Sequence, residues 1–144
     1  MNIKQALKRK NKLVQLISEE LIKVRSYNNI SDGPGSYDAR ISFDNYQKYS
    51  DELIELKCKI HLANAPMYNK IFRLSELKSR ITSLKSFHIS EGKYSSYDDT
   101  GNSIQKQHIN SISVIERDNI IKSYETEIEQ IQDELDEFNV KTII

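Results

Sequence analysis

Residues 116–139 read ERDNIIKSYETEIEQIQDELDEFN, and this stretch decides the fold. Ile121, Tyr124, Ile128, Ile131, Leu135 and Phe138 recur at alternating steps of three and four. A period of about 3.6 residues brings those positions onto one face, so the spacing predicts an amphipathic helix with a coiled-coil-like seam. Ser113, with Glu116 three residues later, forms the sequence signature of a capping box and places the helix at about 113–139.

The same rhythm runs upstream. Ile3, Leu7, Val14, Ile17, Leu21 and Val24, widened by Ala6 and Leu13, predict a helix over about 3–28. The cluster NNISDGPGS then supplies turn chemistry. A second helix over about 42–64 follows, with Ser42 as its expected cap and Tyr46, Tyr49, Leu53, Leu56, Ile60 and Ala63 as its seam. Ile54, Cys58 and Leu62 form a second apolar set on nearly the opposite face. That places the helix centrally in a bundle or marks a face for another subunit. Pro66 has no amide hydrogen and disfavours helix at Ala65, so the second helix should stop near Asn64 and let the chain reverse.

Leu74, Leu77, Ile81 and Leu84 predict a third helix over about 74–88, with Ser75 as a plausible cap. The intervening MYNKIF, Met67 to Phe72, reads either as an extended piece or as a first helical turn behind Pro66. Residues 89–112 are polar, with Asp99-Thr100-Gly101-Asn102 as turn residues. They read as a β-hairpin with arms near Lys93–Tyr97 and Ile104–Ile112, or as a flexible loop. The expectation is a single, mainly all-α domain over 1–144: an elongated antiparallel helical bundle or coiled coil with a small β-hairpin insertion.

Charge adds an orientation. The chain has 21 basic and 21 acidic residues, a balance unlike that of most nucleic-acid binders. The balance conceals segregation: residues 1–25 carry a net +5 and residues 116–139 a net −7. Cations at the start of the first helix and anions at the end of the last oppose the helix dipole. Antiparallel apposition of the two would offset that, and it predicts pairing of Lys8, Arg9 and Lys12 with Asp133, Glu134 and Glu137, within a chain or between chains.

The segments ALKRKNKLVQLI, SDGPGS, LIELKCKIHLAN, LSELKSRITSLK and ERDNIIKSYETEIEQIQDELDEFN together cover most of the chain. Taken together they resemble a family of bacterial helical proteins of unknown function, some labelled septicolysin-like. The resemblance implies an α-helical, coiled-coil-rich fold with no assigned activity. Members often end in Asn followed by Trp, whereas Asn139 here precedes Val140 and the chain has no Trp.

No convergent catalytic set is visible. His61, His88 and His108 lack the spacing of a helical metal site, and Cys58 is the only cysteine. Glu125, Glu127 and Glu129 read as a solvated face, and Gly33-Pro34-Gly35 lacks the strand-to-helix context of a phosphate loop. The reading is therefore no enzyme, no metal and no cofactor. The basic run KRKNK and the later Lys70, Arg73, Lys78, Arg80 and Lys85 make nucleic acid a disfavoured alternative partner for a small regulator. The favoured reading is a cytoplasmic protein–protein interaction or scaffold protein, homo-oligomeric through Ile54, Cys58 and Leu62, without a membrane or secretory segment. Tyr94, Tyr97, Asp99 and Asn102 give the 89–112 segment the composition of a binding loop.

Overall fold

In a computed structural model the described residues are 1–33, 35–90 and 92–144. Helices α1 (Ile3–Tyr27), α2 (Ala39–Ala63), α3 (Tyr68–Lys85) and α4 (Val114–Lys141) are joined by an antiparallel hairpin of β1 (Gly92–Tyr97) and β2 (Ser103–His108) lying between α3 and α4. The chain is mainly helical, as its periodicity predicts, and of the two readings left open for residues 89–112 the structure takes the small β-hairpin. The residues gather in two compact units, Met1–Tyr68 with Glu134–Ile144, and Asn69–Asp133. Pro34, in the expected Gly-Pro turn, and Glu91, before the hairpin, lie outside the described residues.

The first unit is built on a helical hairpin. Asn2 starts α1 with a full capping box: its Oδ1 accepts from the Gln5 amide at 2.9 Å, and Gln5 Oε1 accepts from the Asn2 amide at 3.0 Å. α2 starts at Ala39, three residues before the expected boundary, because Asp38 takes the cap and accepts from the Arg40 and Ile41 amides. An extended Asp with its negative charge suits a helix N-terminus better than Ser42 does. Ser42 is buried instead.

Ala6 and Leu13 of α1 pack with Leu56 and Ile60 of α2, and Leu7, Tyr49, Leu53 and Ile144 lie against that core. Early residues of α1 thus meet late residues of α2, and Tyr27 meets Tyr37 edge-on at 5.4 Å, so the two helices run antiparallel. The buried line of α1 is Ile3, Ala6, Leu13 and Glu20, whereas Val14 is 52% exposed. The apolar face of α1 is wider than one partner covers, and α2 selects its Leu13 edge.

The chain ends close the unit. The Ile3 amide donates to Thr142 O at 3.1 Å and the Ile144 amide to Met1 O at 2.9 Å, with Asn2 bridged to Ile143 in antiparallel fashion. Asn2 Nδ2 also donates to Val140 O at 3.1 Å. Donors at the start of α1 thereby meet carbonyls at the end of α4, so opposite dipole ends adjoin.

At Pro66 the chain makes a 3-10 turn, Ala65–Met67, and α3 begins at once with Tyr68. The stretch Met67–Phe72 is therefore helical, and Ser75 lies inside α3 instead of capping it. The fixed φ of proline fits the first turn of a helix, where its missing amide costs nothing. The Tyr68 hydroxyl lies against His61 Nδ1 and donates to His61 O at 2.8 Å, fastening the turn to the end of α2.

In the second unit α3 and the first part of α4 run antiparallel, with Arg73 on Glu127 and the Arg80 guanidinium 5.8 Å from the Tyr124 ring. Leu77, Leu84, Ile121 and Ile131 are its buried apolar residues. Ser113 caps α4 by accepting from the Glu116 amide at 3.1 Å.

Leu13→Ala should cost about 2–5 kcal/mol, since it leaves a cavity in the α1–α2 core. Val14→Ala, on the exposed neighbour, should stay within about 0.5 kcal/mol. Urea unfolding of the two variants measures the difference, and equal losses would place the core on the wrong edge of α1.

Candidate functional site

Two surfaces stand out. The first is the outer face of α2. Its inner face is occupied by α1, yet Ile54 is 60% and Leu62 73% exposed, and Cys58 is an exposed free thiol. Helical spacing puts the three in one stripe, since steps of four residues advance each by about 40°. Asp51, Glu55, Lys59 and His61 border it and are exposed as well. Solvated apolar residues are ordinary singly, whereas three aligned on one helix form a continuous strip.

The second surface is the hairpin. Its register pairs Tyr94 with Lys106 and Tyr97 with Ser103. Asp98 organises the tip: its Oδ1 accepts from the Thr100 amide at 2.9 Å, the Thr100 hydroxyl at 2.7 Å and the Asn102 amide at 2.8 Å. Those bonds, that from Thr100 first, hold its carboxyl below the usual carboxylate range. Gly101, at φ +84°, donates its amide to Asp98 O and completes the three-residue hairpin loop, a geometry that calls for a left-handed residue. Tyr94 stacks on His108 with ring centroids 4.1 Å apart, while Tyr97 stands 77% exposed. Asp99 and Asn102 are exposed beside it. The structure therefore brings Tyr97, Asp99 and Asn102 to one exposed end and gives Tyr94 to the hairpin's own packing. Reading the residues alone points to Asp99 and misses Asp98; the Asp-x-Thr pattern of a side-chain-closed turn was the signal for it.

Within the chain, Arg9 and Glu137 find other partners than the segregation of charge suggests. Arg9 makes a two-pronged ion pair with Glu52 of α2, both bonds at 2.7 Å. Lys12 Nζ donates to Gln15 at 3.3 Å, and Glu137 pairs with Lys141 one turn along α4. The expected grouping of Lys8, Arg9 and Lys12 with Asp133, Glu134 and Glu137 thus gives way, at Arg9 and Glu137, to closer partners. The chain ends still adjoin, through main-chain hydrogen bonds. Glu52 was reachable from the α1–α2 hairpin itself, which sets Arg9 opposite it.

Glu20 is the other feature the periodicity hides. It occupies the buried line of α1, with its carboxylate 3.0 Å from Lys23 Nζ and hydrogen bonds to Ser42 and Asn45 of α2. Burial pushes this carboxyl up, and the bonds from Lys23, Ser42 and Asn45 more than offset it, holding the group below the usual carboxylate range. Glu52 is likewise held low by the Arg9 guanidinium. Among the described residues no three His, Cys, Asp or Glu side chains gather as a metal site, and no helix is long and apolar enough to cross a membrane. Comparison with protein-family models, curated proteins and solved structures finds no match to the chain.

Lowered carboxyl values stabilise the fold fully above the ordinary carboxylate range, about pH 4–5, and the contribution fades as pH falls through the lowered values. Stability should therefore drop on the acid side. Glu20→Gln should be less stable than the parent at neutral pH and lose less between about pH 5 and pH 3. Urea unfolding across that range reads the slopes, and parallel slopes would show that Glu20 contributes nothing to the acid transition.

Proposed function

We propose that this chain is a non-catalytic interaction or scaffold protein that associates with further copies of itself through the outer face of α2. The observation that carries the reading is the aligned exposure of Ile54, Cys58 and Leu62 on a helix already packed on its other side. The hairpin tip, with Tyr97, Asp99 and Asn102 exposed, is its surface for a protein partner. Tyr offers contact area at small entropic cost, and the Asp98 bonds hold the loop in shape before binding. Coiled-coil-like packing of the helices belongs to the same reading, supported by the α4 seam, in which Ile121 and Ile131 are buried. So does a bacterial cytoplasmic setting, which suits a free exposed thiol.

Light scattering at tens of micromolar or above should return a mass larger than one chain, and the Ile54→Lys/Leu62→Lys double variant should return one chain with unchanged helical circular dichroism. A monomeric parent protein would overturn the self-association. Deleting residues 95–102 should abolish capture of the protein partner while leaving self-association and helicity intact. Unchanged capture would remove the hairpin from the reading.

A further inference from the structure

Taking that self-association as its basis, we infer that the second copy docks on α2 in the antiparallel direction, about a two-fold axis that passes beside Cys58. The strip is symmetric about Cys58. Ile54 and Leu62 lie four residues before and after Cys58, displaced by about 40° to either side of it around the helix. All three are exposed, and no apolar residue extends the strip evenly at both ends, since Asp51 lies on one side and Ala65 on the other. A two-fold axis perpendicular to α2 at Cys58 lays Ile54 of one copy beside Leu62 of the second and sets the two Cys58 residues face to face. Shifting the antiparallel register by four residues sets Leu62 opposite Ser50 in one sense and Ile54 opposite Pro66, beyond the end of α2, in the other. The surface is self-complementary, as a closed two-fold interface must be.

Asp51, next to the strip, chooses the direction. Asp51 lies within about 20° of the centre of the strip. A parallel pair would set the two Asp51 carboxylates opposite each other at the same height, a like-charge contact that works against association. The antiparallel pair sets Asp51 opposite Ala65 of the second copy and holds the two carboxylates about 20 Å apart along the axis. On the same flank Glu55 and Lys59 change places between copies. Glu55 of each copy comes within one helical turn of Lys59 of the other along one rim, while the other rim sets the two exposed Lys57 residues near each other; a parallel pair would bring Glu55 near Lys57 instead, so Asp51 is the charge that separates the two directions. Antiparallel helices also align their dipoles head to tail. The small thiol at the centre allows close approach: helix axes about 9–10 Å apart bring two facing Cα atoms to about 4.4–5.4 Å, within disulfide range.

Mild oxidation of the parent protein should trap a Cys58–Cys58 dimer, with two thiols giving one disulfide and the added oxidant taking up two electrons and two protons. It should form about tenfold faster than for a chain whose only cysteine is placed on the far side of α1, with Cys58→Ser and Ser18→Cys, because the docked thiols have a high effective concentration. In the Cys58→Ser background, Ile54→Cys alone should not cross-link, and mixing it with Leu62→Cys in the same background should. The proposed geometry fails if Ile54→Cys cross-links to itself readily, since a two-fold axis at Cys58 holds the two residues 54 about 12 Å apart along the helix. The register fails if the parent associates by light scattering and Cys58 cross-links no faster than the control, although the self-association then still stands. A parent protein that stays monomeric removes both, and circular dichroism confirms that each variant is folded.

Discussion

Everything else in the first unit depends on one packing event, the burial of Ala6 and Leu13 of α1 against Leu56 and Ile60 of α2. With 38% of its residues apolar, the chain cannot cover every helix on all sides. Each helix spends its best apolar line on one contact. The small Ala6 lets the backbones approach, and Leu13 fills the space between them. Once the two helices are paired, Arg9 is brought to Glu52, Glu20 to Ser42 and Asn45, and Ile144 to the core. Those contacts follow from the pairing; none of them is close enough in sequence to form without it.

Charge acts in this fold mainly over short range. The arginine forks of Arg9 and Arg73 each hold one carboxylate through two bonds, and in both pairs the partners come from antiparallel helices of the same unit. These pairs are partly solvated, so their larger effect is on orientation and register. Beside the cations near the start of α1, the helix end is also satisfied by hydrogen bonds. The first amides of α1 are taken up by Asn2 and by carbonyls from the end of α4, and the adjoining ends carry opposite partial charges.

The surfaces proposed for binding are what this packing leaves exposed. α2 buries one stripe and presents a second, short and symmetric about Cys58. The hairpin buries little of either face, and its order rests on the Asp98 bonds and on Tyr94 against His108. A helix pair with one exposed apolar strip, and a pinned loop with an exposed tyrosine, are the features on which the proposed assembly role rests.

Much of the local structure was legible from residue order. The three-four spacing located α1, α2 and α4, Pro66 marked the break after α2, and the two-sided pattern of α2 singled out Ile54, Cys58 and Leu62 as a face needing a separate account. Those signals are local, because helical period and proline geometry act within a few residues. The tertiary structure decided the rest. Val14 and Leu13 are equally apolar neighbours, and only the position of α2 buries one and exposes the other. Met67–Phe72 became helix because the proline ring fits a first turn, a choice the pattern left open. Arg9 met Glu52 and not the acidic run of α4, because an ion pair forms with whichever carboxylate the folded backbone brings within reach, and periodicity holds no record of that distance.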